Sequence, residues 1–124
     1  YKGGGFPPGI VSAANGYLEA MRSPLRAYDV SGISFDDLLQ YVERGYPVLV
    51  WSTMGLDKPQ FNGYVDVNAV EVVPWYDNEH CVVVYGATED VVLVSDPLKG
   101  LIERDRERFV SIFEQCGCMA VIIC

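Results

Sequence analysis

Histidine is almost absent from this chain: the 124 residues hold one, His80, so any imidazole chemistry has a single bearer. Positive charge is also scarce, with 9 Lys and Arg against 17 Asp and Glu and a net charge of −8. So acidic a chain is repelled by phosphate backbones and anionic lipid, which argues against nucleic-acid or membrane-surface partners. No apolar run approaches the roughly 18–20 residues that span a bilayer, so membrane insertion is not expected. The longest strongly apolar stretch is Met119 to Cys124. There is no charged-then-apolar leader, and the chain opens on Tyr1 rather than methionine, from which a processed or cut terminus is expected. The cysteines Cys81, Cys116, Cys118 and Cys124 lie in the last third and form no C-x-x-C knuckle. Neither a bound metal nor a cofactor is therefore expected.

What is present fits one domain over residues 1–124, long enough to bury its own core. After a loop rich in glycine (Gly3, Gly4, Gly5) and proline (Pro7, Pro8), Ile10, Ala13, Ala14, Tyr17, Leu18 and Met21 recur on one helical face, with Pro24 just beyond. Leu25 to Val30 reads as a short strand. Ser34 caps a second helix with Asp37 at its third position; Phe35, Leu38, Leu39 and Val42 form its buried stripe and Gly45 ends it. Pro47 to Thr53 is a nearly continuous apolar strand, and residues 54–63 read as a loop. Tyr64 to Val73 holds one or two strands. Cys81–Tyr85 and Val91–Val94 are strands joined as a hairpin through Gly86 to Asp90. A last helix carries Phe109, Ile112, Phe113 and Cys116 and stops at Gly117, and Cys118 to Ile123 closes the chain as a strand. This order predicts an α+β fold with an antiparallel sheet and flanking helices.

His80 opens a strand after the polar run Tyr76–Glu79, where a sheet boundary can expose one face. Cys81 is its neighbour, but adjacent strand residues point to opposite faces, so the two do not form a dyad. A nucleophilic thiol also needs a field that favours thiolate, commonly a helix N-terminus, and none of the four cysteines has one. Asp96 ends the next strand before Pro97. A three-residue turn or an inserted bulge sets Asp96 opposite His80 on one face; a two-residue turn aligns it with Cys81 instead. An aspartate accepting from one imidazole nitrogen fixes the tautomer and frees the other as a base. On spacing alone Asp96 equally reads as a turn cap before proline, and His80 as a structural histidine.

Trp75 to Gly100 runs W-x4-H-C-V-V-V-Y-G, then V-V-L-V-S-D-P-L-K-G, with P-V-L-V-W-S-T upstream. Together these resemble the papain-like (clan CA) bacterial cysteine peptidases of the bacteriocin-processing, double-glycine leader type, and their stand-alone relatives more closely. Arg108-Phe109 and Gly117-x-x-Ala120-Val121-Ile122 are similar to the family's ending, and the glycine-rich opening with Ala13-Ala14-Asn15 resembles the segment between its halves. The resemblance implies a papain-like fold, His80 as general base, Asp96 as its orienter, and a peptide or related amide as substrate in a full-length parent. It also implies an exported or cell-surface bacterial setting. Trp51 and Trp75 read as candidate walls of the substrate cleft or, as tryptophans more often are, as core residues.

One departure matters. The family's nucleophilic cysteine, and the glutamine ahead of it that helps form the oxyanion hole, lie N-terminal to the matching region. This chain has no glutamine before Gln40 and no cysteine before Cys81. As it stands it is expected to be an incomplete domain, inactive alone, with a non-catalytic binding or scaffold domain as the rival reading. A thiol–metal protein using Cys116, Cys118 and Cys124 is the third. Loss of a covering helix is expected to expose apolar sheet, so the isolated chain is expected to be a homo-oligomer.

Overall fold

The computed structural model describes residues 5–68 and 71–124. Gly3 and Gly4 of the opening loop, and residues 69–70 within the 64–73 stretch, lie outside them. Eight strands and three helices alternate as α1 (Pro7–Ala20), β1 (Ala27–Asp29), α2 (Phe35–Glu43), β2 (Val48–Thr53), β3 (Phe61–Asn68), β4 (Glu71–Tyr76), β5 (Glu79–Ala87), β6 (Val91–Asp96), β7 (Gly100–Asp105), α3 (Arg106–Gln115) and β8 (Ala120–Ile123). Six strands form one sheet in the order β1-β8-β2-β5-β6-β7, every pairing antiparallel; β3 and β4 form a separate hairpin. The fold is α+β. No described helix is long and apolar enough to cross a membrane.

Local chemistry sets these elements. Ser34 accepts from the Asp37 amide at 3.1 Å, satisfying one orphan donor of α2. Gly45, at φ 90°, ends that helix, and its amide and that of Tyr46 return to Val42 and Tyr41. The stripe of α2 then lies on α3: Phe35 meets Phe113 edge-to-face at 6.2 Å and Phe109 at 6.0 Å. Both helices cover the sheet face made by Val48, Val50, Val82, Val84, Val92 and Val94, and this is the main core. The alternate residues of β2 and β8, Trp51 and Val121, face the other way, against Phe6 and the inner side of α1. Helices thus flank the sheet on both faces.

The two ends of the sheet differ. At β1, the Asn15 side chain donates to the Ala27 carbonyl (3.1 Å) and accepts from its amide (2.7 Å), so an amide group substitutes for a further strand. At the other end β7 is an edge whose sequence, GLIERD, gave no strand signal. Only Ile102 packs on the core, while Leu101 is 73% exposed. Charged residues on an edge are how strands avoid unwanted pairing, and they mask the period-two pattern.

The β5–β6 hairpin contains a bulge. Ala87 pairs with Val92 and Gly86 with Leu93, but Val84 pairs with Val94, leaving Tyr85 extra. A side chain at Gly86 would place its Cβ 2.9 Å from Leu93 Cδ1, so the close approach there favours glycine. The extra residue exchanges the faces of everything that follows. Without it Asp96 would align with Val83, on the face of Cys81; with it the register runs on to set Asp96 opposite Val82, on the face of His80.

Candidate active site

His80 and Asp96 meet at the end of the sheet where β5 begins and β6 stops. His80 Nε2 lies 2.9 Å from Asp96 Oδ1, with side chains 11% and 5% exposed. The approach is diagonal, since by register Asp96 stands opposite Val82 rather than His80. Direct opposition, the geometry expected from a turn or bulge count, is therefore corrected to a contact one pair along, still within reach of an imidazole.

Asp96 is held from several sides. The Leu98 amide donates to Oδ1 at 2.7 Å, and the Lys99 amide donates to the Asp96 carbonyl at 3.2 Å. Burial by itself pushes the carboxyl up, but the Leu98 amide, the hydrogen bond and charge of His80 and the Lys99 amide outweigh it. The carboxyl is held below its ordinary 3.8. It is ionised at neutral pH and can only accept, so the proton in the shared bond belongs to Nε2. No described residue hydrogen-bonds Nδ1, which keeps that lone pair for a base's work. On the linkage sign, a depressed carboxyl contributes stability that is present above pH 3.8 and is lost as pH falls through the folded value.

The backbone of His80 is gripped from β2. Ser52 is its register partner, 1% exposed, and its hydroxyl donates to the His80 carbonyl at 3.3 Å. The turn before β5 is tied down as well: Asn78 accepts from the Gln60 amide and donates to the Lys58 carbonyl, both at 3.0 Å. Neither residue was singled out from sequence. Ser52 had one available signal, a small polar residue closing an otherwise apolar strand.

Three of the four thiols sit where burial keeps the proton on sulfur. Cys81 pairs in register with Trp51 and faces away from His80; burial, and after it the charge of Glu79, push its thiol up to about 12. Cys116 is 1% exposed and pushed to about 12 by the same two causes. Burial, then Glu114, raises Cys118. All four cysteines are free, and among the described residues no group of three His, Cys, Asp or Glu side chains could hold a metal ion.

Of the two tryptophans, Trp51 takes the core place and not the cleft wall. Trp51 is 1% exposed, its Nε1 donates to the Gly5 carbonyl at 2.8 Å, and its face is the one opposite His80. It is a core residue, because the apolar run of β2 is buried on both faces and position 51 falls on the α1 side. Trp75 packs on Phe6 with ring centroids 6.0 Å apart and donates from Nε1 to Asp77 at 3.1 Å. It borders an open groove with Asn62, Val65 and Asp77, and belongs to the same apolar cluster as Trp51.

Comparison with known proteins gives a family and a fold relative. The family model described as "Peptidase_C39 like family" matches residues 2–121. A crystal structure of a Bacillus anthracis protein, provisionally classed as a C39-like peptidase, is similar at 28% identity with a TM-score of 0.80. The match covers 98% of this chain and 60% of that one, so the chain spans three-fifths of the length of that structure. No curated protein matches.

Proposed function

Because the chain belongs to the Peptidase_C39 like family, we propose that it is the base-bearing part of a cysteine-peptidase-type site that hydrolyses peptide or related amide bonds. The observation that carries this reading is the buried His80–Asp96 pair, which leaves Nδ1 available on a tautomer fixed by an ionised carboxylate. In this scheme Nδ1 takes the proton of a thiol, and the thiolate attacks the scissile carbonyl carbon. Asp96 stabilises the imidazolium, which then hands its proton to the leaving amine; water releases the acyl group from sulfur and regenerates the thiol.

This reading takes the thiol, with its oxyanion donor, from outside these 124 residues: burial leaves Cys81, Cys116 and Cys118 inert as thiolates, the first two pushed up to about 12, and Cys81 faces away from His80. The same inertness favours the second reading, a binding or scaffold domain that keeps the fold without the chemistry. An upstream Gln-x5–6-Cys ahead of an apolar helix supports the enzyme; serine or glycine in the cysteine's place supports the binder. The test is amide hydrolysis by the complete natural reading frame beside this chain alone. Activity in the former that iodoacetamide blocks, with none in the latter, is the expected result. Equal rates in both, or no effect of alkylation, contradict it.

The reading extends to self-association. Val83, Val91 and Leu93 point to the sheet face away from α2 and α3, and all are only half-buried. Strands apolar on both sides ordinarily carry a layer on each, and an apolar face left open favours association. Light scattering at high concentration is expected to give a mass above the 13.8 kDa of one chain; a clean monomer rejects this.

A further inference from the structure

Among the described residues one buried side-chain oxygen has no hydrogen-bond partner, and it is Oε2 of Glu79. Glu79 is the first residue of β5, immediately before His80, in register with Thr53 on β2. The Thr53 hydroxyl cannot serve it, since it donates to the Asp57 carbonyl. Along its own strand Glu79 neighbours Cys81, and its charge also reaches Cys116 at the end of α3. Both are thiols without positive charge. The salt bridges formed among the described residues, His80–Asp96 and Arg106–Asp36, leave Glu79 out. Glu79 is half-buried, and its inner oxygen has neither a donor nor a cation to replace lost water when the group is ionised, whereas a neutral carboxyl carries no charge to solvate.

We propose that Glu79 is a pH-sensitive latch at the strand end that carries His80: seated and neutral it holds the start of β5 in the sheet, and its ionisation favours opening of that end and with it of the His80–Asp96 contact. The latch acts on the strand whichever role His80 plays, so it does not rest on the peptidase reading.

The direction follows from linkage. Burial raises the Glu79 carboxyl from 4.5 to about 7 in the seated state, while a released strand end returns it to water and to its ordinary value. Between those two values each release frees one proton. Release therefore grows with rising pH by about tenfold per pH unit. Above about 7 both states are ionised and the dependence ends. His80 and Asp96 lie on the other face, with the Asp96 carboxyl held below 3.8, and Asp77, Asp57 and Lys58 are the other charged side chains of the segments that flank this strand end.

The experiment is native-state hydrogen exchange of the backbone amides of residues 79–82, corrected for intrinsic rates, from pH 5 to 8 in the wild-type chain and in Glu79→Gln. The expected result is an opening constant that climbs about tenfold per pH unit towards pH 7 and then levels in the wild type. In Glu79→Gln, which keeps His80 and Asp96, it is flat. A flat wild-type profile, or the same rise in both proteins, overturns the latch. Should Glu79→Gln fail to fold, carbon-13 NMR titration of the Glu79 carboxyl in the wild type decides. A midpoint near 7 upholds the latch, and one near the ordinary 4.5 overturns it.

Discussion

Replacing His80 by alanine is expected to lower alkylation-sensitive amide hydrolysis by the complete reading frame by about 10³–10⁴-fold, and Asp96→Asn by a similar factor. The first substitution removes the only imidazole within these residues. The second leaves the ring but removes the anion that holds the proton on Nε2 and steadies the imidazolium. The structure makes the two effects non-additive: Asp96 acts through His80 at 2.9 Å, so the double variant should be no slower than His80→Ala alone. Because Asp96 also accepts from the Leu98 amide, Asp96→Asn is the fitting probe; it retains an acceptor for that turn where alanine would not. Full activity in His80→Ala, or multiplicative losses in the double variant, contradict the assignment.

Phe113→Ala is expected to destabilise the fold by about 3–5 kcal/mol, lowering the melting temperature by about 10–20 °C. Phe113 is 0% exposed and meets Phe35 edge-to-face, joining α3 to α2 over the main core. A domain of this length has on the order of 6–18 kcal/mol in total. The loss therefore takes a large share and threatens the site as well, since α3 packs on β2 and β6, which border it. Thermal denaturation followed by circular dichroism measures it. A shift of only one or two degrees would mean that the α2–α3 layer contributes little.

The parts of the fold that were legible in sequence are those whose signal is local. In α2, Ser34, the acidic first turn, the apolar stripe and Gly45 act within a dozen residues, and the helix lies where they place it. The strands β2, β5 and β6 announce themselves by apolar runs, but those runs also hide which face each residue takes. That is why sequence leaves Trp51 between cleft and core, and the structure places it in the core on the α1 side. The edge strand β7 is silent because charge replaces alternation there. The His80–Asp96 contact depends on one extra residue, Tyr85, in the β5–β6 hairpin. The bulge lies beside the close approach of Gly86 to Leu93, and no local pattern marks it, so sequence could pose the alternatives without choosing between them. Glu79 stayed invisible for a similar reason: its isolation comes from what surrounds it across two strands and a helix end.

The account rests on an imidazole whose Nε2 proton is committed to Asp96 and whose Nδ1 is a free base. Long-range proton–nitrogen NMR of the single histidine, in its neutral form, reads this directly, with no ambiguity of assignment. The predicted result is the Nε2–H tautomer, converted to a mixture in Asp96→Asn. A wild-type spectrum showing the Nδ1–H tautomer, or a mixture that Asp96→Asn leaves unchanged, would contradict the pairing and the base role built on it.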